Sequence, residues 1–518
     1  MNRHSFLKHF LITAAVCGFS GNLTSCTDPA NDHPNIVFIL ADDLGYGDIS
    51  CLNEDSKIQT KYIDQLAEEG VSFRDAHSGS SVCTPTRYGV LTGRYSWRTR
   101  LKKGVTWSYD EHLINPRRMT VASMLRDNGY HTAAIGKWHL GLDWQKGENG
   151  VVDLKAPIEN GPNVYGFDYF YGIPASLDIP PYVYIENNRV TAASIDTVRK
   201  NDGMGFWRRG PIGDDFKHAD VLPHLTQKAL SYIRQQAETD NPFFLYFPLP
   251  APHTPILPSA EFIGKSGTNA YGDFVLMVDD VVGQILRALK ENGIDDNTLL
   301  IFTSDNGCSP MANFEELGEF GHDPSYVFRG HKGDIFEGGH RIPFVARWPR
   351  RIKASQQSKE TICLTDLMAT CAAIVNHSLP DNSAEDSYNL LPIFFGEKLE
   401  NPTREATVHH SENGNFSIRQ GSWKLSFCPG SGGWSYPTPE MASTMDILPI
   451  QLYDLESDPG ETDNLAGEFP EKVEQLVALM TGYIEMGRST AGAPQRNEGE
   501  TQLLPEGYGA FMDEMLDR

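Results

Sequence analysis

Two short, uninterrupted apolar runs stop abruptly on acidic and amide side chains. Residues 35–41 end at Asp42-Asp43, and residues 298–303 end just before Asp305-Asn306. An apolar run of this length without alternation suits a strand buried on both faces, as in a parallel sheet covered by helices. Between the runs, Thr60 reads as the N-cap of a helix with Ile63, Leu66 and Ala67 on one face and Gly70 as its stop. Thr120 opens another, carrying Val121, Met124 and Leu125 and closing at Gly129, and a strand-like stretch follows at 131–135. The clearest helix spans 271–292, with Val275, Val278, Val282, Ile285 and Leu289 at three- and four-residue steps. This alternation predicts an α/β fold: a large, mostly parallel central sheet flanked by helices on both faces. Segments 144–162 and 174–216, rich in Gly, Pro, Asn and charge, read as long functional surface loops. Beyond residue 400 short segments such as 416–419 and 423–427 alternate with turns, followed by a helix near 471–485, so a smaller α+β subdomain on an antiparallel sheet is expected at 401–518, after a catalytic unit at 34–400.

With 518 residues, 40 % hydrophobic and 22 % charged, the chain can bury a substantial core. Its net charge of −24 repels nucleic acid and anionic membranes, so no nucleic-acid partner is expected, and an anionic substrate would need a local basic patch. Residues 1–26 read as an export signal: Arg3 and Lys8 precede an apolar run at 10–16 too short to span a bilayer. Leu23-Thr-Ser-Cys26 resembles a bacterial lipobox, which would put a lipid on Cys26 and leave 27–33 as a tether; an ordinary cleaved signal is the alternative. The expected location is the periplasm or cell surface, with membrane contact only through that lipid. Eight cysteines are sparse for a stapled secreted fold and allow at most two bridges once Cys17, Cys26 and Cys83 are set aside.

In a parallel sheet the two strand ends emerge on one carboxyl edge, where open α/β sheets bind ligands. Asp42, Asp43, Asp305 and the amide of Asn306 then form a hard-oxygen set suited to Ca²⁺ or Mg²⁺, and their mutual repulsion calls for a cation. In Cys83-Thr-Pro-Thr-Arg87, Thr84 can cap and Pro85 can occupy the first turn of a helix, leaving Cys83 just ahead of a positive helix end. Gly136-Lys-Trp-His-Leu-Gly141 places Lys137 and His139 on one side of an extended stretch. Pro252-His-Thr-Pro255 holds His253 in a stiff loop, and the Gly-rich stretch from Gly330 offers Lys332. With Arg87 these supply the basic patch that the acidic envelope demands.

These residues resemble the type I, formylglycine-dependent sulfatases of the alkaline phosphatase superfamily, from Asn35 to past Asp463. Cys83-Thr-Pro-Thr-Arg-Tyr-Gly-Val-Leu-Thr-Gly93 is similar to the family signature, with Thr86 where many members carry Ser, and the other motifs occur in family order. The resemblance implies an alkaline phosphatase-like fold and a Cys83 converted to formylglycine by a maturation enzyme. It implies a Ca²⁺ held by Asp42, Asp43, Asp305 and Asn306 and touching the side chain of residue 83. Lys137, Lys332 and Arg87 would neutralise sulfate oxygens, His139 would orient and deprotonate the second hydroxyl of the aldehyde hydrate, and His253 would bind substrate and protonate the departing oxygen. The implied substrate is a sulfated carbohydrate of the galactose or N-acetylhexosamine type. A phosphodiester or phosphonate hydrolase and a non-catalytic lipoprotein binding sulfated glycans are the competing readings. Glu111, His112, Arg117 and loop 177–189 are candidate sugar contacts because they lie in polar segments near the motifs.

Overall fold

The computed structural model describes residues 33–516. Ten strands form the central sheet, in the order Gln356–Ser358, Val71–Phe73, Phe344–Arg347, Thr298–Ser304, Asn35–Asp42, Phe243–Pro252, His131–Lys137, Tyr169–Ile173, Ile185–Glu186 and Arg189–Val190. The five strands from Thr298–Ser304 to Tyr169–Ile173 are mutually parallel, and antiparallel pairings flank them on both sides. The continuous apolar runs reflect burial on two faces. Val37 and Ile39 pack in one core with Leu66, Val278 and Ile285; Ile36, Phe38 and Leu40 pack in the other with Val90, Leu91, Leu125 and Met368. Both helical layers are therefore anchored by the same strand, and period-two alternation decides which residue serves which layer.

The sequence-predicted helices appear at Lys61–Glu68, Val121–Asp127 and Ala270–Glu291. Thr120 accepts the Ser123 N–H in a reciprocal capping box, and Asn269 caps the long helix. Segment 174–216 is less irregular than expected. It folds into the hairpin of Ile185–Glu186 with Arg189–Val190 and the pair Ile195–Val198 with Gly210–Gly213, strands too short and polar to show a period. A four-stranded antiparallel sheet, Thr407–His410, Phe416–Gln420, Trp423–Ser426 and Gln451–Asp454, packs Val408, Ile418, Leu425 and Leu452 against Val473, Leu476 and Met480 of helix Pro470–Glu485. Cys51, Cys83, Cys308, Cys363, Cys371 and Cys428 are all free thiols, so neither allowed bridge forms among the described residues. No helix among them is long and apolar enough to cross a membrane. The export segment, Cys26 and residues 27–32 of the tether lie outside the described residues.

Candidate active site

Strands Asn35–Asp42 and Thr298–Ser304 pair in parallel with Ala41 opposite Ser304, so Asp42, Asp43, Asp305 and Asn306 leave the sheet together. The adjacent strand Phe243–Pro252 delivers His253, and His131–Lys137 delivers its own last residue. Gly136 is required there: a Cβ on it would sit 1.9 Å from the Pro248 carbonyl, at a φ of +139°. Asp43 turns left-handed, at φ 63°, and its N–H donates to Asp305 Oδ1 at 3.2 Å. Strain of this kind persists where surrounding structure fixes it, often at functional sites.

Every predicted catalytic and metal residue is buried, and the structure brings them together. Lys137 Nζ lies 2.7 Å from Asp42 Oδ2, and Lys332 Nζ 2.6 Å from Asp43 Oδ1. Arg87 Nη2 lies 2.6 Å from Asp305 Oδ2 and 3.2 Å from Asp42 Oδ1. His253 Nε2 is 3.6 Å from Asp43 Oδ2, and Cys83 Sγ is 3.6 Å from Asp42 Oδ1. The three carboxylates thus each have a basic partner, which corrects the expectation that their repulsion alone demands a cation.

Helix Cys83–Thr92 begins two residues earlier than the sequence suggests, with extended Val82 at its N-cap. Cys83 is therefore its first residue rather than its forerunner. Thr84 does not cap; its hydroxyl donates to the His139 carbonyl at 2.9 Å and ties the two motifs together. The stretch around His139 is not extended either, since that residue is left-handed at φ 56°. Burial pushes the Cys83 thiol up to about 12 against the pull of Lys137 and Lys332, so the unmodified thiol stays protonated and weakly nucleophilic.

Burial alone would raise Asp42, but Lys137, His253 and Arg87 hold it well below the carboxylate range; burial and the Asp42 charge lift Asp305 to about 6. Burial works against the charges of Arg87 and Lys332, yet their carboxylate partners raise both above their ordinary values. Burial, with Lys137 and Arg87 nearby, pushes His139 far down and keeps it neutral. Its Nε2 lies 2.9 Å from the Thr106 carbonyl, so that nitrogen carries the hydrogen and donates. Nδ1 is then a buried acceptor with no partner. Sequence reasoning missed Thr106, a loop residue acting through its carbonyl, which leaves no mark in side-chain patterns.

A metal ion fits this donor set. Single ligand atoms of Asp42, Asp43, Cys83 and His253 all lie within 4.8 Å of one another. Asn306 Nδ2 donates to Asp43 Oδ1 at 2.8 Å and to the Gly307 carbonyl at 2.9 Å, leaving Asn306 Oδ1 buried and unpartnered. Buried acceptors without partners are costly, and a hard cation satisfies one. That compact group includes His253 and leaves out Asp305, one of whose oxygens Arg87 holds. Of the candidate sugar contacts, Glu111 and Arg117 are exposed, and His112 is engaged by Asp143 at 2.7 Å.

The family model described as Sulfatase matches residues 34–377. The chain belongs to the sulfatase family and is a sulfuric ester hydrolase. It is 35 % identical to an N-acetylgalactosamine-6-O-sulfatase of Bacteroides thetaiotaomicron over 86 % of this chain and 92 % of that one. It is 29 % identical to human N-acetylgalactosamine-6-sulfatase, over 87 % and 86 % of the two chains. A solved sulfatase from work on the metabolism of multiple glycosaminoglycans by Bacteroides thetaiotaomicron is 34 % identical and superposes with a TM-score of 0.77, covering 87 % of this chain and 99 % of that one. These relationships favour sulfate-ester hydrolysis over both the phosphodiester reading and the binding-only reading.

Proposed function

We propose that this protein removes the 6-O-sulfate from N-acetylgalactosamine units of glycosaminoglycan-type carbohydrate, with formylglycine at position 83 and a bound Ca²⁺. The observation that carries the reaction is the convergence of Cys83 on Asp42 inside a ring of Lys137, Lys332 and Arg87. The substrate follows from what the two N-acetylgalactosamine-6-sulfatases are named for. Asp42, Asp43, Asp305 and Asn306 would hold the cation, which supplies Lewis-acid polarisation of a sulfate oxygen and of the nucleophile. The hydrated aldehyde supplies two hydroxyls on one carbon: one oxygen bonds to sulfur as the ester bond breaks, and the other lets the aldehyde reform as sulfate leaves.

The chain's own residues handle charge and protons. Lys137 and Lys332, now paired with Asp42 and Asp43, become free to face sulfate oxygens once those acids serve a cation, and Arg87 stays charged beside them. His253 Nδ1 donates to the Thr254 carbonyl at 2.6 Å, which leaves Nε2 as the atom that, in the imidazolium form carrying a hydrogen on both nitrogens, gives its proton to the departing sugar oxygen and becomes neutral. His139, neutral with its Nδ1 unpartnered, accepts the proton of the second hydroxyl. The protein is exported, with a lipid on Cys26, and depends on a formylglycine-generating enzyme. The test is sulfate release from N-acetylgalactosamine 6-sulfate, its 4-sulfate and galactose 6-sulfate, using protein made beside a maturation enzyme. Preference for the first is expected; equal rates on all three, or release by Cys83→Ala matching wild type, would refute the reading.

A further inference from the structure

The loop that follows strand Tyr169–Ile173 is tied directly to the catalytic stretch. The Trp138 N–H donates to the Ile173 carbonyl and the His139 N–H to the Pro174 carbonyl, both at 3.0 Å. Four residues further on lies Asp178, only 8 % exposed. One of its oxygens, Oδ2, accepts a hydrogen bond from Arg208 Nη1. The other, Oδ1, is buried and has no partner. A buried carboxylate oxygen left unpaired is costly unless something donates to it.

Arg208 is held from several sides. Its backbone N–H and Nη1 both donate to the Asp178 carbonyl at 3.2 Å, and Tyr182 Oη donates to the Arg208 carbonyl at 2.7 Å. Its guanidinium lies 5.1 Å from the ring centroids of both Trp107 and Phe206. Trp107, 49 % exposed, directly follows Thr106, whose carbonyl receives His139 Nε2. Two residues before Phe206, the Met204 carbonyl accepts from Thr254 Oγ1 at 3.0 Å, next to His253. The pair is therefore anchored to segments that adjoin both catalytic histidines, and beside the buried acid the Arg208 and Trp107 side chains reach solvent.

From this arrangement we infer that Asp178 and Arg208 form the clamp that selects the sugar, with Asp178 Oδ1 accepting a hydrogen bond from a ring hydroxyl or amide N–H of a sulfated hexosamine. The sulfate sites, by contrast, recognise only the anion. The inference rests on the carbohydrate-sulfatase reading. Arg208 positions the acid and neutralises it, and the Trp107 and Phe206 rings hold the guanidinium in place.

The experiment measures kcat/KM on N-acetylgalactosamine 6-sulfate and on 4-methylumbelliferyl sulfate, whose leaving group has no sugar donors. The readout is the ratio of the two. Asp178→Asn is expected to lower that ratio about ten- to hundred-fold, the size of one charge-assisted hydrogen bond. Arg208→Met, whose side chain is 40 % exposed and so tolerates replacement, lowers it in the same direction through a higher KM for the sugar. Ratios within about two-fold of wild type in both variants would overturn the clamp while leaving the sulfatase reading intact. Wild-type preference for a different sulfated sugar would overturn the assigned substrate alone, and the ratio is then taken on that sugar. Turnover of the aryl sulfate only, by wild type, would overturn both.

Discussion

Among the described residues two buried clusters place metal-capable side chains within 4.8 Å of one another: Asp42, Asp43, Cys83 and His253 at the sheet edge, and His77, His340 and His409, the last on a strand of the C-terminal sheet. Only the first has donors arranged for an ion. Its two carboxylates leave the end of one strand together, and Asn306 Oδ1, from the end of the neighbouring parallel strand, lacks a partner. In the second, the rings of His340 and His409 stack at 3.8 Å and 5°, so their in-plane lone pairs lie in parallel planes and cannot meet at one point. Cations already occupy its margins: Arg419 Nη1 lies 2.7 Å from Asp75, and Lys424 Nζ lies 3.1 Å from Glu337 and 2.8 Å from Glu461. Proximity of ligand types does not make a site; lone-pair direction and unspent acceptors do.

If the sheet-edge cluster is the chemical one and the other is architectural, substitutions should separate them. Cys83→Ala should reduce kcat by about 10⁴-fold or more, roughly 5 kcal/mol of barrier, with the melting temperature unchanged. Steady-state kinetics beside calorimetry checks both halves, and residual activity near wild type would break the contrast. Lys424→Met should do the reverse. It removes the Lys424 ion pair of the buried Glu461, although Glu337 keeps Arg341 at 2.6 Å. The cost is about 3–5 kcal/mol in denaturant unfolding, while surviving folded enzyme keeps its cation dependence.

A smaller effect comes from acid. Burial holds His410, on the same strand as His409, down at about 4, and burial likewise depresses His77, His340 and His409. At His410 the unfolded chain takes up its proton near pH 6.5 and the folded chain only near 4. Stability from His410 is therefore complete above pH 6.5 and declines as pH falls toward 4, by about 3 kcal/mol. His410→Leu should flatten the melting temperature between pH 6.5 and 4 relative to wild type; identical slopes would show that this histidine does not carry the acid sensitivity.

The sheet-edge cluster was legible because its acids follow continuous apolar runs, and a run buried on both faces announces both the strand and its end. Lys137 and His253 could be placed for the same reason, being tied to strands of the same sheet. What stayed hidden depends on conformation at single residues. The left-handed turns at Asp43 and His139, and the helix start at Cys83 rather than Pro85, are decided by contacts from other segments. The histidine cluster was invisible because His77, His340 and His409 come from three separated elements of only two, four and four residues. Asp178 lay in loop 177–189, a candidate sugar contact, but its partner Arg208 was read only as part of a functional loop, because 30 residues separate two side chains that the fold makes adjacent.

The most direct test is calcium titration by isothermal calorimetry on the folded chain, run on wild type, Asp43→Asn and His409→Leu. The account predicts one site per chain in wild type and His409→Leu, and its loss in Asp43→Asn. Binding that survives Asp43→Asn but disappears with His409→Leu, or no binding at all, would contradict it.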